Sequence, residues 1–316
     1  AVFALLKYCA AQHKTEIKRA LHRMRRMTRA ARMRIRQRAD RVQRHYRHYK
    51  WNKAVRDDDA LLLIFTSGTL DRARAAILTH ANCFWTNLSL SRTAELTSSD
   101  VVLAVMPQYH VGGWNIQPLL AWWMGATVVL ERTFDAGRVL HLIEDRQITS
   151  MMGVPANYLF LAQHPAFATT DLTSLRHAIV GGAPMPEPLL RVWHGRGVAL
   201  TQGYGLTEAA PIVTVNPPGR PRRGSVGQAL PGIEIRIDSA TEIGDGGDVP
   251  LGEVLVRGGN VMAGYLGRPD ITETCLADGW LHTGDLGYLD TEGYLYLEGR
   301  AKDLILTGAG KNVYPE

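Results

Sequence analysis

An early apolar run of the chain is followed by small hydroxyl residues and a glycine. These residues could surround a phosphate group. The run covers residues 61–65 and leads directly into Thr66, Ser67, Gly68 and Thr69. A turn of this composition lets backbone N–H groups and hydroxyls approach an anion without steric obstruction. Ser/Gly/Thr turns after strands are also common, so these four residues alone favour a plain structural turn over a phosphate site.

Three further motifs follow at wide spacing. They are YGLTE at residues 204–208, HTGD at residues 282–285 and GRAKD at residues 299–303. Read alone, the first is a turn with a Thr–Glu helix cap, and the others supply a loop carboxylate and a surface arginine. Together with residues 66–69, and in this order, they resemble the motifs of the adenylate-forming superfamily. The likeness is greatest to its AMP-dependent acyl-CoA synthetases.

The resemblance implies an enzyme that activates a carboxylate with ATP. Acyl-AMP and pyrophosphate would form first, and the thiol of coenzyme A would then displace AMP to give a thioester. In the family, the threonine of the second motif contacts phosphate and its glutamate helps hold Mg²⁺, which implies these roles for Thr207 and Glu208. Oxygen ligation of a hard cation offsets phosphate charge during this chemistry. We expect a fatty or other hydrophobic acid as the substrate.

The resemblance also implies roles for single residues. It places Asp285 on the two ribose hydroxyls and Arg300 on ribose or phosphate. It places the turn after residue 180 against adenine, and a plain tight turn is an equal alternative for this segment. His110 matches a histidine at the mouth of the acyl pocket, with a structural loop histidine as the alternative. The predicted catalytic residues are Thr207, Glu208, His110 and the hinge residue Lys302, with Glu208 as the metal ligand. The predicted nucleotide-binding residues are Thr66, Ser67, Gly68, Thr69, Arg74, Gly181, Gly182, Ala183, Gln202, Gly203, Tyr204, Gly205, Asp285 and Arg300.

The sequence departs from the family pattern within the phosphate loop. Residues 70–75 lack the two glycines that the family has there, and Asp71 brings a negative charge towards a polyphosphate. Arg74 stands where the family has lysine and offers a cation of different shape. We therefore expect weakened binding on the pyrophosphate side, with a pair of frame slips as the alternative explanation. The family pattern also continues past residue 316 into a further domain, so we expect a truncated and impaired enzyme.

Residues 1–56 differ from the rest of the chain in charge. They hold 18 of the 36 Lys and Arg residues, two of the 30 Asp and Glu residues, and no Gly or Pro, in a chain of net charge +6. This composition predicts a basic helix. It could be a solvated helix without a partner, a non-specific contact for RNA or anionic lipid, or the product of a wrong reading frame or fusion. We expect no specific nucleic acid, because no base-reading motif accompanies the charge.

The remaining chain alternates short apolar runs with helical stretches. Strands are predicted at residues 61–65, 101–105, 126–130, 148–151, 178–180 and 198–200, and helices from residue 79 and at 136–146 and 186–195. This alternation predicts a layered α/β adenylate-forming large domain, and the Gly-rich alternating runs that follow predict a β-rich subdomain. The predicted segments are a basic helical leader (1–56), an α/β adenylation subdomain (57–217), the β-rich subdomain (218–299), and a hinge that opens a further domain (300–316).

Cysteine usage and hydropathy point to a cytoplasmic protein. The three cysteines are widely spaced without a Cys-x-x-Cys pair, and no apolar run approaches the roughly 20 residues of a membrane-spanning helix. A peripheral membrane association through residues 1–56 is the alternative. Two functional alternatives also stay open. One is an adenylation domain with an acceptor other than coenzyme A, and the other is a non-catalytic remnant whose basic leader binds RNA or lipid.

Overall fold

In the computed structural model, one compact unit extends from Asp57 to Glu316. The structure describes residues 55–66, 73–217, 220–238, 251–301, 305–306 and 312–313. The predicted basic helix within residues 1–56 therefore lies outside the described residues, apart from the last two positions.

The unit alternates strands and helices in its first part and is mostly strands in its second. The strands are β1 (Ala60–Thr66), β2 (Arg74–Thr79), β3 (Val101–Ala104), β4 (Thr127–Leu130), β5 (Ser150–Gly153), β6 (His177–Val180), β7 (Leu200–Tyr204), β8 (Thr214–Val215), β9 (Gly227–Ala229), β10 (Ile233–Asp238), β11 (Gly252–Gly258), β12 (Gly264–Tyr265), β13 (Leu276–Ala277), β14 (Trp280–Leu289), β15 (Tyr294–Arg300), β16 (Ile305–Leu306) and β17 (Asn312–Val313). The helices are α1 (His80–Ser91), α2 (Gly112–Asn115), α3 (Pro118–Met124), α4 (Ala136–Asp145), α5 (Pro155–Gln163), α6 (Glu187–Gly195) and α7 (Pro269–Cys275). The predicted α/β class is confirmed.

The strand β2 was not predicted. β2 pairs antiparallel with β1, and the register places Arg74 opposite Thr66. The predicted phosphate loop therefore connects two strands of a hairpin, and the helix follows the second of them. α1 begins where the sequence indicated, because Thr79 and Asn82 cap it reciprocally: each side chain accepts a hydrogen bond from the other's backbone N–H, at 3.2 and 2.9 Å.

A twelve-stranded sheet forms the centre of the unit. Its first part is parallel, in the order β4-β3-β5-β6-β7, and α4, α5 and α6 connect successive strands of it. β7 then pairs antiparallel with β8, and the sheet continues through β9, β15, β14, β11 and β10. The predicted boundary at residue 217 stays a prediction, since this sheet extends across it. A separate three-stranded sheet contains β1, β2 and β12.

The central parallel strands β3, β5 and β6 are largely buried on both faces. On one face α4, α5 and α6 pack around Trp193, which is fully buried. The rings of Tyr158 and Phe167 contact the Trp193 ring edge-on, with centroids at 5.2 and 4.9 Å. On the other face, side chains from β5 and β6 pack with others from α1, α3, β11 and β14. Among the helices that the structure describes, none is long and apolar enough to cross a membrane.

Candidate functional site

The parallel strands bring several predicted segments to one edge of the sheet. His110 follows β3, Gly181 follows β6, and Thr207 follows β7, each beyond the carboxyl end of its strand. In parallel sheets these ends lie at the same edge, which is where ligands bind in α/β folds. The Met152 side chain lies between two of these segments, because its methyl carbon would contact a Cβ placed at either Gly112 or Gly181, at 3.5 and 3.7 Å.

Tyr204, Asp285 and Arg300 form one polar cluster. The Tyr204 hydroxyl donates a hydrogen bond of 2.6 Å to Oδ2 of Asp285, and Arg300 Nε lies 3.0 Å from Oδ1. The pairing of β14 with β15 places Asp285 directly opposite Arg300. Three residues of the predicted nucleotide site, one from each of three separate motifs, are thus in contact.

Burial dominates the ionisation of this cluster. Asp285 is 7% exposed, and this burial raises the pKa of its carboxyl, while the Tyr204 hydrogen bond and the Arg300 charge act in the opposite direction. The pKa of Tyr204 lies well above its ordinary value, first because of burial and then because of the neighbouring Asp285 charge. A carboxylate has about four lone-pair sites, so the two bonds observed leave capacity for two hydroxyl donors.

Glycines allow the chain after β7 to turn back closely on itself. A Cβ at Gly205 would overlap the carbonyl oxygen of Pro211, and one at Gly203 would lie 2.9 Å from the carbonyl oxygen of Thr214. No residue with a side chain fits at Gly205 unless this backbone moves. The turn after β6 uses Gly182 at φ +81°, a left-handed conformation that glycine adopts without strain.

The same region is tied together by a side chain from β7. Gln202 accepts a hydrogen bond of 3.3 Å from the backbone N–H of Met185, which lies just beyond Ala183. This bond joins β7, two residues before the second motif, to the chain just after the predicted adenine segment.

Glu208 has a partner that sequence reasoning missed. The hydroxyl of Tyr265, on β12, donates a hydrogen bond of 2.6 Å to Oε1 of Glu208. The Arg74 guanidinium lies over the Tyr265 ring at 5.9 Å from its centroid, and its Nε is buried without a hydrogen-bond partner among the described residues. Burial, and then the charge of Glu208, raises the pKa of Tyr265, so this hydroxyl stays protonated and keeps donating. No motif in the sequence marked Tyr265.

The Glu208 carboxylate fits a magnesium ion. Mg²⁺ is usually held by one or two protein carboxylates together with water and substrate phosphates. Among the described residues there is no group of three or more His, Cys, Asp or Glu side chains that could enclose a metal ion by itself. A single carboxylate held by a neutral donor suits an ion that arrives with a polyphosphate.

The remaining predicted residues are placed individually. Thr66 ends β1, Arg74 begins β2, and Thr207 opens a single 3-10 turn that extends to Ala209. His110 is exposed, and its Nδ1 accepts a hydrogen bond of 3.1 Å from the backbone N–H of Gly112. Ser67, Gly68, Thr69 and Lys302 lie outside the described residues.

Comparison with known proteins places the chain in a family. The model of the AMP-binding enzymes matches residues 4–266, so the match also includes most of the basic segment that the motifs had left outside the resemblance. A feruloyl-CoA synthase from Amycolatopsis sp is 39% identical over 263 residues, which cover 82% of this chain and 52% of that protein. An indoleacetate–CoA ligase from Aromatoleum aromaticum is 41% identical over 261 residues, covering 81% and 50%.

Solved structures agree with this placement. ATP-bound MatB from Rhodopseudomonas palustris superposes with a TM-score of 0.74 at 34% identity, covering 82% of this chain and 52% of that one. The O-succinylbenzoate coenzyme A synthetase of Bacillus subtilis, solved with ATP and magnesium, gives 0.75 at 32% identity, covering 83% and 54%. The chain belongs to the AMP-binding enzymes of the adenylate-forming superfamily. It spans about half the length of the curated relatives it matches.

Proposed function

We propose that this chain takes part in the ATP-dependent activation of a carboxylic acid to acyl-AMP and its transfer to coenzyme A. The observation that carries the proposal is the cluster of Tyr204, Asp285 and Arg300. A buried carboxylate with two spare acceptor sites suits the two vicinal hydroxyls of a ribose, and the half-exposed guanidinium beside it suits an adjacent phosphate.

The reaction requires the chain to hold ATP and the acid in line. A carboxylate oxygen of the acid attacks the α-phosphorus, the bond to the bridging oxygen of the β-phosphate breaks, and pyrophosphate leaves with the electron pair. Asp285 fixes the ribose, and the Thr207 hydroxyl stabilises charge at the α-phosphate. Glu208 would hold Mg²⁺, which would neutralise phosphate charge. The sulfur of coenzyme A then attacks the acyl carbon, loses its proton to solvent or base, and displaces AMP.

His110 orients the acid in this proposal. It is exposed just beyond the carboxyl end of β3, at the edge of the sheet where the nucleotide segments also lie. Its Nδ1 accepts from the backbone of Gly112, which leaves Nε2 to carry the proton and to donate to an incoming carboxylate.

An aromatic acid is the substrate class that we favour. We expected a fatty or other hydrophobic acid from the resemblance alone, but the names of the two relatives specify feruloyl and indoleacetate substrates. Both names also specify coenzyme A, which favours it as acceptor over a carrier protein. Fatty acids stay the second class to be tested.

Calorimetric titration with acyl-sulfamoyl-adenosines tests the site. These non-hydrolysable mimics of acyl-AMP carry no pyrophosphate, so their binding does not depend on the altered segment at residues 70–75. Feruloyl, indoleacetyl and decanoyl versions should bind in an order that ranks the acids, and Asp285→Ala should weaken all three. Folded protein that binds none of them would overturn the proposal.

The impairment that the loop sequence predicts needs a separate comparison. AMP should bind to the chain. The affinity for ATP should be little higher than that for AMP, despite the two additional phosphates. Detection of acyl-CoA by mass spectrometry, after incubation with ATP, Mg²⁺ and the best-ranked acid, then reports on turnover. If the acyl group were instead found on another acceptor, that acceptor would take the place of coenzyme A in the proposed reaction.

A further inference from the structure

The segment that presents Asp285 is a bulge in the sheet. In the pairing of β11 with β14, Leu255 lies opposite His282 and Glu253 lies opposite Leu286. Three residues of β14, namely 283–285, therefore face the single residue Val254 of β11. Gly284 adopts φ +73°, which bends the strand at this point. Bulges of this kind re-aim side chains at the cost of local ladder hydrogen bonds.

Side chains replace the ladder bonds that the bulge loses. The backbone N–H of Gly284 donates to Oε1 of Glu253 at 2.8 Å, and the backbone N–H of Asp285 donates to Oγ1 of Thr283 at 3.1 Å. Thr283 in turn donates to the carbonyl oxygen of Val254 at 2.6 Å. Backbone N–H groups without a partner are costly, so these bonds fix the shape of the bulge.

Glu253 holds the bulge at two points. Its Oε2 lies 3.0 Å from Nδ1 of His282, while its Oε1 accepts from Gly284. One carboxylate on β11 thus contacts both the residue before the bulge and the residue next to Asp285. The side chain is mostly buried, with 17% exposed, so the bond to Gly284 is little weakened by solvent.

We propose that Glu253 is a positioning residue that sets the Asp285 carboxylate for recognition of ribose hydroxyls. This inference rests on the proposed function, because it assumes that Asp285 binds the ribose. Glu253 belongs to none of the four motifs. Its side chain contacts the bulge at His282 and Gly284, so any effect on nucleotide binding would be transmitted through the bulge. Its removal should therefore affect ligands that carry both ribose hydroxyls and spare those that lack them.

The test compares AMP with 2′,3′-dideoxy-AMP by calorimetry. Wild-type protein should prefer AMP by at least about tenfold, since two hydrogen bonds to a charged group separate the ligands. Glu253→Ala should lose most of that preference with little change in dideoxy-AMP affinity, and Glu253→Gln, which keeps an acceptor for Gly284, should lose less. A merely structural role would weaken both ligands equally and leave the preference intact, which would overturn the inference.

Two controls separate the possible failures. Glu234→Gln neutralises an exposed carboxylate that pairs with Arg257 in the same sheet, and the preference should be unchanged. Hydrogen exchange of the peptide that contains Gly284 should speed up in Glu253→Ala, and unchanged exchange would also overturn the inference. Wild-type protein that binds no AMP would overturn the proposed function itself. If Glu253→Ala does not fold, the preference and exchange of Glu253→Gln decide the question.

Discussion

The hydroxyl of Tyr204 donates a hydrogen bond of 2.6 Å to Asp285, a residue 81 positions further along the chain. This bond joins the carboxyl end of the parallel part of the sheet to the bulge on β14. A residue predicted to bind the nucleotide therefore also holds the carboxylate that the resemblance assigns to the ribose. The aromatic ring of Tyr204 and the carboxylate of Asp285 therefore belong to one site.

Tyr204→Phe should separate these two contributions. Phenylalanine keeps an aromatic face but leaves Oδ2 of Asp285 without its donor. Loss of one bond to a charged group should weaken AMP binding by about tenfold, which corresponds to about 1.4 kcal/mol. Tyr296→Phe is the matched control, because the Tyr296 ring stacks on Tyr288 at 4.8 Å on the neighbouring strands. Equal losses in the two variants would contradict a specific role for Tyr204.

Asp285→Asn should stabilise the ligand-free fold while abolishing tight AMP binding. Burial raises the pKa of Asp285 above its unfolded value, so the folded state binds this proton more tightly. The stability that this group contributes is full below the unfolded pKa and is lost as the pH rises through the folded pKa. Asparagine removes the buried charge, so at pH 7 its Tm should equal or exceed that of wild type. A lower Tm would contradict this reasoning.

The pH dependence of AMP binding follows from the same shift. Ribose hydroxyls donate to the ionised carboxylate, so wild-type affinity should fall as the pH decreases through a value above 3.8, the ordinary carboxyl pKa. In Asp285→Asn this decrease should be absent. Titrations of both proteins between neutral and mildly acidic pH, within the range where circular dichroism shows a folded chain, measure the difference.

Tyr265→Phe should weaken the metal-dependent part of ATP binding. The hydroxyl of Tyr265 holds one oxygen of Glu208 at 2.6 Å, and without it the carboxylate can rotate away from the ion. We expect most of the additional ATP affinity that Mg²⁺ confers to be lost, because the supporting bond to Glu208 is a charge-assisted hydrogen bond. AMP binding without metal serves as the internal control and should not change. An unchanged Mg²⁺ effect would show that Glu208 needs no such support.

Local composition predicted β3, β5 and β6 well, because these strands are largely buried on both faces and read as short apolar runs. The prediction at residues 198–200 overlaps β7 only at Leu200, because β7 is partly buried and contains polar residues. β2 was missed for a physical reason. Residues 74–79 include two alanines and a leucine, which suit a helix, and only pairing with β1 makes them a strand. Sequence motifs likewise marked Glu208, and Asp285 with its partners Tyr204 and Arg300, but not Tyr265 or Glu253. Tyr265 is 57 positions from Glu208, and Glu253 is 31 positions from Gly284, so tertiary folding alone creates these contacts.

Trp193→Ala tests the core that supports the parallel strands. The ring is fully buried, contacts Tyr158 and Phe167, and donates through Nε1 to the carbonyl oxygen of Tyr158 at 3.1 Å. Its removal should lower the free energy of unfolding by about 3–5 kcal/mol. Trp122→Ala is the control, since Trp122 is 50% exposed and should cost far less in the same urea titration. Similar costs for both would contradict the packing described.

Gly205→Ala should damage the site and the fold together. A Cβ at this position would overlap the backbone carbonyl of Pro211, and backbone cannot move aside as a flexible side chain can. The segment after β7 would have to shift, and with it Tyr204 and Thr207 on either side. We expect a loss of roughly 1–3 kcal/mol in stability, as for other overpacked positions, together with loss of AMP binding.

Gly195→Ala provides the contrast for this last variant. Gly195 ends α6, and a Cβ there would meet no atom within 4 Å. Alanine favours a helix over glycine by about 1 kcal/mol, so this variant should be neutral or more stable and should bind AMP normally. If Gly205→Ala behaved in the same way, the chain after β7 would have to be looser than the close approach to Pro211 indicates, and Tyr204 would not need that approach to reach Asp285.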